Sequence, residues 1–505
     1  MMRRRWTVAA MVAAAGLAGA AGAQETAITI YSTAQPGAIA PEMYRPTPQS
    51  QMYGNPYSGQ PIPGYAIVKQ EQTFTVPQGR SLLDFTGVAA LIDPTTVRFE
   101  SLTDPDGLRV LDQSYQFDLV SLQKMLERYL GQTVNLNGMD VKLLSVSGGG
   151  VLVERGDGTI SWQNGYGNVV FPKQAEGLIT HPTLVWDVQA QSGGEHETRI
   201  SYETKGITWW ADYNLVFSDG GSNAGALDVG AWVSILNQSG GGYEDAQLKL
   251  IAGDVHRAPS PQQGYYPRGA MREMAAMDSS QLGFEEKSFF EYHLYTLGRP
   301  ATIPDNSTKQ IELFEPATGV PAEKVMVYYG LPQGFRWWGA DPMTDRDLGL
   351  QMNKKVDIYL KFRNDEASGL GIPLPSGRIR VSQMDPADGT LEFIGEDVID
   401  HTPKNEDVLV RMGSAFDVVG ERIQEDFKSN YPARWMEETI KVTLRNHKEE
   451  PVKVLVKENL YRWVNWEITK ATHEFEKRDA RTVHFPVMIP ADGEVTVRYT
   501  VRYTW

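Results

Sequence analysis

The sequence predicts an all-β protein. Its expected architecture is a series of β-sandwich modules of the immunoglobulin-like type, with a small N-terminal β module that carries one short helix. Two observations predict this class: apolar residues recur at every second position in many short segments, and turns rich in glycine, asparagine and aspartate separate those segments. The length of 505 residues gives room for roughly two to four domains.

The first 23 residues have the pattern of a secretory signal. Arginines at positions 3–5 precede an apolar stretch at 8–17, and Ala21-Gly22-Ala23 fits a cleavage site. The apolar stretch is shorter than the ~20 residues of a membrane span, which favours cleavage after Ala23 over a retained anchor. We therefore expect an exported protein that is periplasmic or associated with the cell surface.

Composition excludes several classes of chemistry. The chain has no cysteine, so it contains no disulfide, thiolate nucleophile or Cys-ligated metal. Its net charge is −15, and loss of the three signal arginines makes the mature chain more acidic still. Such a charge argues against nucleic acid as a partner. We expect no transmembrane helix, no cofactor and no metal; the oligomeric state stays open.

Residues 24–65 are predicted to be a disordered linker, because they are rich in Pro, Gly, Gln and Tyr and poor in aliphatic residues. Residues 66–183 are predicted to form the small β module. Its one helix would lie in SLQKMLERYLG, capped by Ser121 and ended by Gly131, with apolar residues at helical spacing between them.

Residues 184–345 are predicted to form the first sandwich, with a loop excursion at 258–286. Its centre is the stretch Ile207 to Phe217, in which apolar side chains occupy every second position. Asp212 and Asn214 point away from that apolar side. We expect this stretch to be the central strand of the sandwich.

Two further strands are expected after it. The segment Leu227 to Ile235 alternates again, and QSGGGYED leads into AQLKLIAG, so the three strands would form a meander.

Residues 346–505 are predicted to form the second sandwich from at least seven alternating segments. The segments VSILNQSGGGYEDAQLKL and VTLRNHKEEPVKVLVKEN share the order strand, Asn, turn, strand, which indicates an internal repeat.

Catalytic motifs are absent from the sequence. It has no G-x-S-x-G elbow, no H-E-x-x-H helix and no G-x-G-x-x-G loop, and its eight histidines are scattered singly.

Two pairs of adjacent tryptophans are candidates for binding, because an exposed tryptophan is typical of a binding surface. In a strand Trp209 and Trp210 face opposite sides, so a buried Trp209 places Trp210 on the outer face. The second pair lies in the turn-rich GFRWWGADPM.

Exposed tryptophans stack on sugars or dock partners, whereas the alternative is burial at a domain interface. The candidate binding residues are Trp210, Asp212, Asn214, Trp337 and Trp338.

Several segments resemble the bacterial family known as domain of unknown function number 4139. They include ISYETKGITWWADYNLVF, YEDAQLKLIAGDV, FIGEDVIDHTPKNEDVLVRMGSAFDVVGER and PADGEVTVRYTVRYTW, and the resemblance runs from about residue 184 to 505. It implies a β-sandwich-rich fold and an exported member. It implies no activity and no catalytic residues.

The leading hypothesis is a non-enzymatic binding or scaffold protein of the cell envelope, whose partner is an unknown envelope protein or a glycan. One alternative is an envelope hydrolase that acts on peptide or glycan through Asp212, Glu396 and Asp397. Another is an outer-membrane β-barrel, because apolar residues alternate from Val497 to the terminal Trp505.

Overall fold

A computed structural model describes residues 25–31, 39, 62–257, 284–331, 341–347 and 353–505, apart from positions 119, 148, 174, 176, 177, 222, 254 and 291. The described chain is almost entirely β, with one short α-helix, which confirms the predicted fold class. The signal pattern, most of the 24–65 segment, most of the 258–286 excursion and the Trp337-Trp338 pair lie outside the described residues.

The first half of the described chain contains β1 (Glu25–Tyr31), β2 (Tyr65–Val76), β3 (Gly79–Thr86), β4 (Ile92–Ser101), β5 (Leu108–Gln116), α1 (Leu122–Arg128), β6 (Thr133–Leu136), β7 (Met139–Ser147), β8 (Gly150–Arg155), β9 (Ile160–Asn164), β10 (Val169–Val170), β11 (Thr183–Ala190), β12 (Gly194–Lys205), β13 (Ile207–Asp219), β14 (Ala224–Asn237) and β15 (Tyr243–Ala252).

The second half contains β16 (Phe284–Phe289), β17 (Tyr292–Leu297), β18 (Ala301–Ile303), β19 (Ser307–Tyr329), β20 (Lys355–Arg363), a 3-10 turn (Glu366–Ser368), β21 (Gly377–Met384), β22 (Leu391–Ile399), β23 (Asp407–Asn430), β24 (Trp435–Asn446), β25 (Val452–Asn459), β26 (Trp466–Ala471), β27 (Glu476–Lys477), β28 (Thr482–Ile489) and β29 (Gly493–Thr504).

The first core lies between two layers. One layer is the sheet with the order β16-β17-β15-β1-β2-β12-β4, and the small sheet β3-β11-β5 contributes further side chains to the same core. The other is the half of the largest sheet that runs β22-β21-β13-β14-β19. Residues that alternate on β13, such as Trp209 and Tyr213, meet residues of the first layer, such as Ile28 and Leu248, in one apolar cluster. The predicted place of β13 as a central strand is confirmed, since β14 and β21 flank it.

The start of the predicted linker is a strand, and that part of the prediction is wrong. β1 lies inside its sheet, antiparallel to β2 and parallel to β15. Its residues Ile28 and Ile30 are fully buried. Burial of two β-branched side chains in the core, on a strand that is paired along both edges, outweighs the Pro- and Gln-rich composition of the residues that follow them.

The predicted meander is also wrong at its third strand. β13 and β14 pair as expected, but β15 pairs with β1 in the opposite layer. A buried polar turn carries the chain across: the Asn237 side-chain amide donates to the Gly241 carbonyl at 2.8 Å and to the Pro304 carbonyl at 3.1 Å, and its oxygen accepts from the Ser239 amide at 3.1 Å. The side chain thereby satisfies backbone groups that no strand pairs.

The same turn recurs in the second sandwich. The Asn446 amide donates to the Glu450 carbonyl at 2.8 Å and to the Pro490 carbonyl at 2.9 Å, and its oxygen accepts from the Lys448 amide at 3.0 Å. The strand pairing is equivalent as well, since β14 pairs with β19 and β15 with β18, while β24 pairs with β29 and β25 with β28. The predicted internal repeat therefore has a structural counterpart in these two units.

Long strands join the two sandwiches. β19 pairs with β14 over its first part and with β25 over its last part, and β23 pairs first with β20 and then with β24. The second core is enclosed by β24 and β29 on one side and by β25 and β28 on the other. The sheets thus cross the expected division at 345/346. They also cross the division at 183/184, because β11 lies between β3 and β5.

A separate small core contains the helix. The Ser121 hydroxyl accepts from the Lys124 amide at 3.2 Å and caps α1, as expected, and Met125 and Leu126 are buried. This core is shared with β6, β7 and β8. No helix in the described ranges combines the length and the apolarity that crossing a membrane requires.

Candidate functional site

The alternation of β13 determines which side chains reach the outer surface of the first sandwich. Trp209, Ala211 and Tyr213 are buried in the first core, and burial raises the pKa of the Tyr213 phenol well above its usual value. Trp210 and Asn214 point the other way, as the sequence predicts, and Asn214 is exposed. This outer surface is the place to look for a site, because it carries three of the five predicted residues.

Asp212 is the centre of a hydrogen-bond network on this surface. One carboxylate oxygen accepts from the Trp210 indole nitrogen and from the Ser234 hydroxyl, both at 2.8 Å. The other accepts from Arg380 Nη1 at 3.4 Å. The amide of Gln310 donates to the Ser234 hydroxyl at 3.0 Å, which extends the network to β19. Only 8% of Asp212 is exposed, so its main effect is to orient its neighbours.

Trp210 lies at the covered end of this surface. Its ring packs against Ile39, Ile62 and Leu236 in a small apolar cluster. With its indole N–H bonded to Asp212 and its ring partly covered, Trp210 supports the surface more than it offers area to a ligand.

The centre of the surface is open and flat. Gly230 is the cross-strand partner of Asn214, and a Cβ placed on it would contact only the Asn214 carbonyl oxygen, at 3.7 Å. Trp232 follows two residues later, opposite Asp212, and 39% of it is exposed. Sequence reasoning missed Trp232. The signal was available, because Trp232 lies between Ala231 and Val233, which are buried at alternating positions.

Arginine side chains border the surface on the next strand. β21 runs parallel to β13, with Arg378 beside Asp212 and Arg380 beside Asn214. Arg380 also approaches the Glu396 carboxylate, at 3.7 Å from its Nε. Of the three carboxylates in the hydrolase hypothesis, Asp212 and Glu396 therefore share one guanidinium.

The third carboxylate lies elsewhere. Asp397 is the cross-strand partner of the buried Ile379. Its oxygens accept from the backbone amides of Val398 at 2.9 Å and Arg411 at 2.7 Å. Asp397 thus holds β22 against β23 and does not join the other two.

An apolar end completes the surface. Phe393 is the partner of Ser382, and Leu391 is the partner of Met384; all but Ser382 are among the exposed large apolar residues. We call the whole surface the β13 face. Its members are Trp210, Asp212, Asn214, Gly230, Trp232, Ser234, Arg378, Arg380, Phe393 and Glu396.

Within the part of the chain that the structure describes, no group of three or more His, Asp or Glu side chains is placed to hold a metal ion. Comparison of the sequence with protein-family models and with curated proteins gave no match. The resemblance to domain of unknown function number 4139 accordingly stays a prediction.

Proposed function

We propose that this is an exported, non-enzymatic binding protein and that its ligand is a glycan bound across the β13 face. The observation that carries the proposal is the exposed Trp232 beside the flat position Gly230. A tryptophan ring next to open, level backbone accepts the apolar face of a sugar ring. The signal pattern of the first 23 residues supports export.

The polar side chains around Trp232 supply the directional contacts. Asn214 offers both a donor and an acceptor, and Arg378 and Arg380 offer planar donors. Sugar hydroxyl groups accept and donate hydrogen bonds, so this mixture suits a glycan better than a purely apolar or purely charged ligand. The Asp212 network fixes Arg380 before a ligand arrives, which reduces the entropy lost on binding.

The contacts of the carboxylates favour binding over hydrolysis. A glycosidase needs one carboxyl group that delivers a proton and a second that acts as nucleophile or base. Asp212 accepts hydrogen bonds on both oxygens, and it shares Arg380 with Glu396. Two carboxylates that both contact Arg380 are suited to positioning that guanidinium, and neither has the role that a glycosidase requires.

The test is a binding measurement with a matched tryptophan control. The mature protein is screened against immobilised glycans, and the strongest ligand is titrated by calorimetry. We expect Trp232→Ala to weaken binding by roughly tenfold or more, equivalent to about 1.4 kcal/mol or more. The control is Trp162→Ala, which removes a tryptophan of similar exposure from β9.

Equal affinities of the Trp232 and Trp162 variants would contradict the proposal. Release of reducing ends from the bound glycan by the native protein, abolished in Glu396→Gln, would favour the hydrolase hypothesis instead.

A further inference from the structure

We infer that a second surface, formed by β28, β25, β19 and β20 on the second sandwich, binds an acidic polysaccharide through three lysines. This lysine face consists of the outward side chains of residues 325–329, 355–359, 453–457 and 484–488. It is distinct from the β13 face, and the inference does not depend on the ligand proposed there. The lysines are Lys355, Lys453 and Lys457.

Strand alternation separates this face from the core. Met326 and Tyr328 on β19, Val454 and Val456 on β25, and Val487 on β28 are all buried in the second core. Their neighbours along each strand therefore lie on the opposite side of the sheet, where Lys355 and Lys453 are exposed while Asp357 and Tyr359 are buried. The outward positions are those that carry the lysines.

The outward residues form a row across four strands. Lys457 is the partner of Tyr329 on the parallel β19 and of His484 on the antiparallel β28. Tyr328 pairs with Val356, so the next pair places Lys355 on the other side of Tyr329. Adjacent strands lie about 4.8 Å apart, which separates the Lys355 and Lys457 backbones by about 10 Å. Lys453 lies about 13 Å further along β25.

Positive charge on this face is compensated only in part, by Asp479, whose pKa the charge of Lys457 helps to lower. The one carboxylate among the outward residues is Asp357, which already bonds Arg411 at 3.2 Å and the Ser414 hydroxyl at 3.1 Å. None of the three lysines forms a salt bridge with any residue that the structure describes. A cationic face on a chain with a net charge of −15 is complementary to an anionic ligand.

Lys457 is held in place without a carboxylate. Its ammonium lies 5.6 Å from the centroid of the Tyr329 ring, within the range of a cation–π interaction. The Tyr329 hydroxyl lies 3.4 Å from that of Tyr359, and burial raises the pKa of Tyr329, which keeps the phenol neutral. The ammonium is thus oriented before a ligand binds.

The positive charges of the lysine face also affect the pKa of the neighbouring His484. Burial lowers the pKa of His484, and the charges of Lys457 and Arg478 lower it further, although Glu476 and Asp479 act in the opposite direction. Those two carboxylates are themselves engaged: Glu476 bonds Arg478 at 2.8 Å, and Asp479 accepts backbone amides of the following loop.

The spacing selects an extended ligand. A small anion would meet only one of the lysines, whereas a chain with an acidic group on successive sugars meets all three over the distances given above. Leu455 lies between Lys453 and Lys457 on the same strand face, half-buried, and provides an apolar surface for a sugar ring. Duplex nucleic acid is the less favoured polyanion, because its charge density of about one charge per 1.7 Å exceeds that of a chain with one acidic group per sugar, so the acidic remainder of the protein repels it more strongly.

The experiment measures binding of the full mature protein to polygalacturonate by affinity electrophoresis. We expect binding that weakens when ionic strength rises from about 0.1 M to about 1 M, since the Debye length falls from roughly 10 Å to roughly 3 Å. Replacing all three lysines by glutamine should reduce affinity at least tenfold. The matched control replaces Lys69, Lys287 and Lys470, exposed lysines on other strands, by glutamine and changes the net charge equally.

Three results would overturn the inference: no binding of polygalacturonate at low salt, an equal loss in the control variant, or binding to phosphatidylglycerol vesicles in place of the polysaccharide. The lysine substitutions are also compared in a Trp232→Ala background, where a tenfold loss of polygalacturonate binding belongs to the lysine face alone, which separates failure of this inference from failure of the proposed function. Circular dichroism and thermal midpoints of both lysine variants confirm that each remains folded.

Discussion

Two buried ion pairs are the strongest constraints at the scale of single residues. Arg422 donates from Nε to Glu458 at 2.9 Å, and Arg462 donates from Nε to Glu438 at 2.7 Å. Each of these four side chains is at most 1% exposed. A glycine makes room for the first pair, because a Cβ on Gly330 would lie 2.3 Å from Arg422 Cδ and Glu458 Oε1.

The second pair also fastens a connecting segment. Arg462 Nη1 donates to the carbonyls of Met343 at 2.9 Å and Asp345 at 2.7 Å. Tyr499 and Tyr503 donate their hydroxyls to Glu458 and Glu438, and burial raises the pKa of both phenols well above the usual range. The two pairs therefore fix how β23, β24, β25 and β29 meet.

Breaking one pair should cost more stability than removing its charge altogether. Arg422→Met leaves the Glu458 carboxylate buried opposite a thioether, and we expect a loss of about 3–5 kcal/mol in the free energy of unfolding. Adding Glu458→Gln removes the buried charge but keeps an acceptor for Tyr499, so the double variant should recover part of that loss. Denaturant titration measures both.

The control for this prediction is Arg502→Met. Arg502 is exposed and lies 3.0 Å from Glu437, so its removal should cost no more than about 1 kcal/mol. A double variant less stable than Arg422→Met alone would show that the guanidinium is not what balances Glu458.

At the scale of elements, the alternation of apolar residues predicted most strands, but it did not predict which strands pair with each other. The apolar residues of β13 and the cap and buried residues of α1 lie where the sequence indicates, because each depends only on near neighbours. The partner of β15 could not be inferred, since β1 lies more than 200 residues away in the chain. The strand–Asn–turn–strand pattern did mark the crossovers, because Asn237 and Asn446 make equivalent contacts.

The candidate site was predictable to a similar extent. Alternation placed Asp212 and Asn214 on the outer face, and the same rule applied to β14 identifies Trp232. Arg378 and Arg380 could not be assigned to it, because the parallel pairing of β13 with β21 joins segments separated by more than 160 residues. Which tryptophan is open also depends on tertiary contacts, since Ile39 and Ile62 cover Trp210.

We expect β1 to contribute substantially to stability, although it lies at the start of residues 24–65, whose composition predicts a linker. We expect Ile28→Ala and Ile30→Ala each to reduce the free energy of unfolding by about 2–5 kcal/mol, because both side chains are fully buried and their truncation leaves cavities. Thr29→Ala, on the opposite side of the strand, is the matched control and should change it little. Urea titration of the mature chain checks this, and unchanged midpoints for both isoleucine variants would mean that β1 is dispensable.

At the scale of the whole molecule, one sheet carries both proposed binding faces. β19 takes part in each: Gln310 supports the Asp212 network near one end, and Tyr329 supports Lys457 at the other. The mixed polar and aromatic β13 face and the cationic lysine face differ in chemistry, so they would recognise different ligands or different parts of one polymer. The long strands β19 and β23 fix the two sandwiches relative to each other.

The central claim is that the β13 face binds a glycan without cleaving it. The most direct test is a crystal structure of the mature protein with the oligosaccharide selected by the glycan screen. We expect an intact sugar chain with one ring stacked on Trp232 and hydroxyl groups within hydrogen-bond distance of Asn214 and Arg380. A ligand that occupies another surface and leaves Trp232 uncovered, or a cleaved product beside Asp212 and Glu396, would contradict the claim.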